Sequence, residues 1–218
     1  SKTLALNLTK GMKSDREKVT AIFNWITDNI AYDTAAFQTG QLKSQSADET
    51  LQKRKGVCDN FAVLFNEMAN SVGVKSTIVQ GVTYVRVGDN VQAEHAWNQV
   101  IVDGKKWIVD STWGSGYYDY NTRQFTKRRN TQYLLADPGY LSLTHFEMDK
   151  TGKGLPVNRI TLEQFKLVKD NTRRLVQIGF ESEAVIRALN SSREEMLPLA
   201  FEPAEPGIQV VKAPLERQ

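Results

Sequence analysis

Apolar positions first recur at helical spacing behind Ser14: Val19, Ile22, Phe23, Ile26 and Ile30 fall on one stripe, and Glu17, three residues after Ser14, completes a capping-box signature. The spacing predicts a helix from about Asp15 to Ile30. From Thr34 to Thr50 the period is lost in a polar stretch with Gly40 and several Ser, which reads as a loop or broken turns able to cover a groove. The stripe returns at Cys58 with Phe61, Leu64, Phe65, Met68 and Val72, and Gly73 supplies the stop. A second helix therefore begins at the cysteine itself.

Beyond Gly73 the pattern becomes strand-like: Ser76 to Val87, His95 to Val102 and Lys106 to Trp113, separated by Gly88-Asp89-Asn90 and by Asp103-Gly104. Helices followed by an antiparallel sheet define an α+β class. Residues Gly114 to Asn130, with Tyr117, Tyr118 and Tyr120, read as a long surface loop of the kind that often carries function. Thr161 with Gln164 forms another capping box before Phe165 and Val168, a further helix is expected from about Ser182 to Leu189, and the C-terminal third reads as mostly helical. Pro203, Pro206 and Gly207 then punctuate the chain before the apolar run Ile208 to Val211.

Composition narrows the function classes. With 218 residues and 40% hydrophobic content the chain can bury a full core. A net charge of +3, from 28 basic and 25 acidic residues without a long block of one sign, is too mild to argue for nucleic acid. No apolar run approaches the roughly 20 residues needed to span a bilayer. An N-terminal Ser without a signal pattern is what either processing or trimming of the chain would leave, so location stays open, with secreted or cell-envelope slightly ahead of cytoplasmic. One cysteine and two histidines about fifty residues apart provide neither a disulfide framework nor a metal-ligand spacing, and no cofactor or metal is expected.

A lone thiol is either buried packing or chemistry. At the first turn of a helix it is favoured as thiolate, because unpaired backbone N–H groups and the helix dipole stabilise the anion, and the same N–H groups can hold an oxyanion. Gly56, just ahead, would let a substrate backbone approach. The Asp103-Gly104 pair fixes a two-residue hairpin in which Val102 faces Lys105, Trp97 faces Asp110 and His95 faces Thr112. His95 and Asp110 become diagonal neighbours, about 7–8 Å apart at the backbone and within reach of each other's side chains. An aspartate at the end of the apolar run Trp107-Ile108-Val109 is disfavoured in a strand and is better explained by a functional partner.

Gly56-Val57-Cys58-Asp59-Asn60-Phe61-Ala62, His95-Ala96-Trp97-Asn98 with Val100, and Lys106-Trp107-Ile108-Val109-Asp110-Ser111-Thr112-Trp113 resemble, in order, the three core motifs of the transglutaminase-like superfamily. The segments Trp25 to Asp33, Asp137-Pro138 and Thr144-His145-Phe146 also resemble its bacterial, kyphoscoliosis-peptidase-like branch, so the likeness runs over roughly Ser14 to Phe146. The resemblance implies a papain-related fold with a helix-borne cysteine facing histidine and aspartate on adjacent strands. It carries the nucleophile to Cys58, the base to His95 and the orienting carboxylate to Asp110. It also suggests Tyr32 near the oxyanion. Trp97 is expected either to line the groove or to join the core. His145 is expected to pack or hydrogen-bond without taking part in the chemistry. The runs Lys53-Arg54-Lys55 and Lys127-Arg128-Arg129 are read as solvated loops.

These readings divide the chain into a catalytic domain over 1–150, a helical extension packed on it over 151–202, and a linker or the start of a further domain over 203–218. The expected chemistry is thiol-dependent acyl transfer on amide bonds of a protein or peptide substrate. Hydrolysis is expected ahead of protein cross-linking, since no acidic cluster has calcium-loop spacing. A binding or scaffold domain that no longer uses its triad is the rival.

Overall fold

The computed structural model describes residues 1–84, 93–149, 151, 153, 154, 158 and 160–167. In chain order the first elements are α1 (Lys2–Leu8), α2 (Asp15–Asn29), β1 (Ala31–Tyr32), α3 (Thr34–Thr39), α4 (Ala47–Lys53), β2 (Lys55–Gly56), α5 (Cys58–Ser71), β3 (Ser76–Thr83), β4 (Ala93–Val102) and β5 (Lys105–Val109). They continue with α6 (Ser111–Ser115), β6 (Gly116–Asp119), β7 (Gln124–Lys127), a 3-10 turn (Thr131–Tyr133), α7 (Pro138–Leu141), β8 (His145–Glu147) and α8 (Leu162–Leu167). The class is α+β, as the order of the patterns predicts. Helices α1, α2 and α4 gather around α5, and α5 lies on an antiparallel sheet of order β5-β4-β3-β8.

Helix α2 starts where side chains can satisfy its first amides. The Glu17 N–H donates to the Ser14 hydroxyl, and the Ser14 N–H donates back to the Glu17 carboxylate at 3.0 Å. Its stripe of Val19, Ile22, Phe23 and Ile26 meets Phe61, Leu64, Phe65 and Met68 of α5, and the cluster continues into Val100, Val102 and Val109 of the sheet. Each such buried side chain contributes about 1.5–3 kcal/mol relative to exposure. This cluster pins α5, and with it Cys58, against β4 and β5.

The β4–β5 hairpin has the register its turn predicts. Asp103 and Gly104 take positive φ of 54° and 72°, and Val102 faces Lys105 while Asn98 faces Val109. The predicted strand to Trp113 nevertheless stops at Val109. The Asp110 carboxylate accepts the Thr112 and Trp113 N–H groups at 2.9 and 3.0 Å, which turns the chain into α6 and ends the ladder at the Asn98–Val109 pair.

Two further stretches depart from the expected loops. Residues 34–53 hold two short helices, one capped by Asp33 accepting from the Ala36 N–H at 3.0 Å, the other by a Ser46–Glu49 capping box. At 6 and 7 residues each is too short to print an apolar stripe. Residues 114–130 hold the β6–β7 hairpin, with Tyr117 facing Thr126 and Tyr118 facing Phe125. The Thr161–Gln164 box caps α8, whose Phe165 is buried against Phe146 at 5.4 Å between ring centroids. The expected strand beyond Tyr84, the helix from Ser182 to Leu189 and the run Ile208 to Val211 lie outside the described residues. Among the described residues no helix is long and apolar enough to cross a membrane.

One glycine is demanded by close approach. A Cβ on Gly81, in β3 between β4 and β8, would lie 2.0 Å from the Phe146 carbonyl oxygen and 2.8 Å from the Trp97 ring. Gly81→Ala is expected to destabilise the fold by about 1–3 kcal/mol through overpacking, seen as a lowered thermal midpoint in circular dichroism. An unchanged midpoint would mean that β8 can move aside freely.

Candidate active site

Strand pairing and helix geometry bring three distant parts of the chain to Cys58. Val57 is the N-cap of α5 without a capping side chain, and its own N–H donates to the Asn60 side chain at 2.8 Å. The first N–H groups of α5 therefore have no side-chain cap. The parallel pair β1–β2 sets Tyr32 beside Gly56, held by the Asp33 N–H donating to the Gly56 carbonyl at 2.8 Å. A Cβ on Gly56 would meet Asn60 at 2.5 Å, so this glycine lets β2 run close against the start of α5.

The early end of β5 opens the edge of β4. Ile108 and Asp110 point their N–H groups outward to the Ala136 and Tyr133 carbonyls, so Trp107 and Val109 bond inward to Val100 and Asn98. By the same alternation the Ala96 N–H points to the side that β5 has left. There it faces the Cys58 sulfur and lowers the pKa of the thiol. The departure of β5 thus provides both the space for the thiol and a backbone donor to it.

Asp110 is fully buried and uses both carboxylate oxygens. Oδ1 accepts the two amides of α6, whereas Oδ2 lies 2.8 Å from Nε2 of His95 and 3.2 Å from Nε2 of His145. With Nε2 of His95 engaged there, its Nδ1 is the ring nitrogen left free, and the imidazole is close enough to Cys58 for each group to shift the other's pKa. His145 enters from β8, two strands from β4, and its Nδ1 lies 3.0 Å from the Thr144 hydroxyl. Trp97 and Trp113 wall the two imidazoles, with ring centroids 6.1 and 5.5 Å from His95 and 5.0 and 4.9 Å from His145.

Burial alone would push the Cys58 thiol up, but the hydrogen bond and charge of His95 and the Ala96 N–H outweigh it and hold the thiol below its ordinary value. Burial would likewise neutralise His95, yet the charge and hydrogen bond of Asp110, followed by Cys58, raise it to about 10. Against its own desolvation, Asp110 is held well below the usual carboxylate range by the charge of His95 and by hydrogen bonds from both histidines. For His145 burial prevails over Asp110, so its pKa falls and the ring is neutral at pH 7. A neutral His145 that donates Nε2–H to Asp110 must accept at Nδ1 from Thr144. The set favours a thiolate–imidazolium pair backed by a carboxylate, an arrangement able to attack a carbonyl carbon and protonate a leaving amine.

His95, His145 and Asp110 each offer one ligand atom within 4.8 Å of the others, a donor set that a transition metal could take. In this geometry the same residues hydrogen-bond to each other inside a buried cluster, so a metal would have to displace the dyad.

A cavity of about 720 Å³ opens beside Cys58, His95 and Tyr32. Burial holds Tyr32 protonated, with Cys58 the next contributor, so its hydroxyl remains a donor next to the thiol. Trp97 takes the core alternative: it is 1% exposed, packs on Ile108, Ala136 and Leu141, and backs His95 without lining the cavity. Of the basic runs, Arg54 covers the Trp25 ring at 4.7 Å, Lys55 pairs with Asp33 at 3.0 Å and Arg129 with Asp28 at 3.0 Å, while Arg128 lines the cavity. Sequence reasoning missed Trp113 and Tyr133 as site residues and the bond from His145 to Asp110. The signal for His145 is faint, because β8 is three residues long and pairs with β3 more than sixty residues earlier.

Residues 2–110 match the model of the transglutaminase-like superfamily, and the chain belongs to that family. It is 36% identical over 152 residues to the kyphoscoliosis peptidases of Mus musculus and Homo sapiens, covering 67% of this chain and 23% of each relative. The chain therefore spans under a quarter of the length of these curated relatives. Among solved structures it overlaps a candidate cysteine protease from Cytophaga hutchinsonii at 26% identity and a TM-score of 0.43, over 51% of this chain and 36% of that one.

Proposed function

We propose that this chain is a cysteine peptidase or amidase domain in which Cys58 is the nucleophile, His95 its base and acid, and Asp110 the orienting carboxylate. The observation that carries the reading is the 2.8 Å Asp110–His95 bond, which leaves the other face of the imidazole to the thiol at the mouth of a substrate-sized cavity. Cys58 sulfur attacks the amide carbonyl carbon, and the oxyanion is held by N–H groups at the start of α5 and by the Tyr32 hydroxyl. His95 hands its proton to the leaving amine, and a water deprotonated by His95 then releases the acyl group. Water is preferred to an amine as acceptor because the 36% identical relatives are peptidases by name.

The test pairs a fluorogenic peptide assay with an amine-incorporation assay on the same preparation. Peptide cleavage without amine incorporation supports the reading, and the reverse result would make the enzyme a cross-linker. Iodoacetamide labelling reads the thiolate directly. Wild-type Cys58 is expected to label rapidly at pH 7, and His95→Ala to slow labelling at least about a hundredfold, because only the Ala96 N–H is then left to offset the effect of burial on the thiol. Turnover should trace a bell against pH, with an acid limb below the ordinary thiol value and a basic limb near the raised value of His95.

His145 is a positioning residue in this reading, since it touches Asp110 and not the substrate. Its N–H stabilises the carboxylate, so His145→Ala should lower kcat by about tenfold to a hundredfold, the range of a hydrogen bond to a charged group, with little change in KM. The freed carboxylate should also hold the His95 proton harder and move the basic limb upward. His145→Gln, which keeps an N–H near the same place, should restore part of both. A folded His145→Ala variant with an unmoved pH profile would reduce the residue to packing.

A further inference from the structure

The cavity beside Cys58 is built largely from rings. Tyr32 stacks on Phe125 of the β6–β7 hairpin with centroids 5.1 Å apart, and Phe37 of α3 meets Tyr32 at 5.7 Å and Tyr118 at 5.1 Å. These contacts join α3 to the hairpin in one wall, and Gln38 fastens it by donating to the Arg123 carbonyl at 2.8 Å. The hairpin begins at Gly116, beyond the stretch 2–110 that matches the family model, so the hairpin half of this wall lies outside that stretch while Tyr32, Phe37 and Leu42 lie within it.

Four large apolar side chains are exposed among the described residues, and two of them, Leu42 at 57% and Tyr117 at 55%, line this one cavity. Leaving apolar surface in water forgoes its burial, and its concentration at a site is explained by an occupant that covers it. The charges agree in sign. Among the described residues the cavity lining holds Arg128, Arg129 and a single carboxylate, Glu94, and Asp28 pairs with Arg129 whereas Arg128 forms no ion pair.

We infer that this wall is a specificity subsite that seats a large aromatic side chain of a polypeptide substrate between Leu42 and Tyr117, with Arg128 favouring acidic over basic neighbours. The inference rests on the peptidase reading for the cleavage step, whereas binding itself needs only the cavity. It predicts the substrate class: polypeptide segments with an aromatic residue close to the scissile amide and acidic residues beside it.

The test uses short fluorescein-tagged peptides that differ only in a central Phe, Ala or Lys, titrated by anisotropy into the full chain carrying Cys58→Ala. The Phe peptide is expected to bind at least about tenfold more tightly than the Ala peptide, the scale of burying one aromatic side chain. The Lys peptide should be weakest. Leu42→Ser with Tyr117→Ser should bring the Phe-to-Ala ratio close to one, while iodoacetamide labelling of Cys58 in that double variant keeps its wild-type rate. Arg128→Glu should improve the Lys peptide relative to Phe. Equal binding of all three peptides, or a ratio untouched by the double variant, overturns the subsite. Selective binding alongside an inert Cys58 would keep the subsite and sink the peptidase reading; cleavage without discrimination would do the opposite.

Discussion

Cys58→Ala is expected to fold, to melt close to wild type and to release no product above background. The side chain occupies the first position of α5, where alanine is a strong helix former, and it is not among the clustered apolar residues that fix α5 to α2 and the sheet. Chemistry has no substitute, because the chain contains one cysteine and the covalent step needs it. Losing a nucleophile of this type lowers kcat on the order of 10⁶-fold. Parallel peptide assays and circular dichroism melts on wild type and variant provide the check. A folded variant that still cleaves would remove Cys58 from the mechanism and leave the His95–Asp110 dyad without a nucleophile.

Much of this site was legible because its parts obey short-range rules. The capping box at Ser14, the stripe after Cys58 and the Asp103-Gly104 turn each act within a few residues, and they place the thiol at a helix start and fix the β4–β5 register. The diagonal approach of His95 and Asp110 came from that register alone. Its cause differs in the folded chain: Asp110 is drawn out of the strand to cap α6, so the carboxylate is aimed by a helix start as well as by a sheet. That competition was hidden because Ser111-Thr112-Trp113 suits a strand as readily as a first helical turn. The illegible parts depend on pairings between remote segments. His145 reaches Asp110 only because β8 adds to the far side of β3, and the tyrosines that look like loop decoration face Phe125 and Thr126 across a four-residue ladder.

The same geometry makes Asp110→Asn the most informative substitution at the site. Its amide oxygen can still accept the Thr112 and Trp113 N–H groups, so the start of α6 should survive. The amide nitrogen then replaces Oδ2 and points two N–H groups at the Nε2 atoms of His95 and His145, both of which were donors. To avoid donor against donor, each ring must present a bare Nε2 and carry its proton on Nδ1. For His145 this is tolerable, because Nδ1–H can donate to Thr144, whose hydroxyl turns to the Leu141 carbonyl 3.2 Å away. For His95 it is ruinous, because Nδ1–H now faces Cys58 as a neutral donor that can neither take the thiol proton nor hold an ion pair. Loss of kcat on the order of 10⁴-fold is expected, as for the corresponding change in serine-triad enzymes, together with slow iodoacetamide labelling. Stability should report the same switch. The folded-state pKa of Asp110 is depressed, so its contribution is present above the unfolded carboxylate value and is lost as pH falls through the folded one. His95 is raised, so its contribution is complete below the unfolded histidine value and is lost as pH climbs to about 10. Both dependences should flatten in Asp110→Asn, read as thermal midpoints across the acid and alkaline ranges. A variant that melts with the wild-type pH dependence, or that keeps fast labelling, would show that Asp110 does not set the charge state of His95.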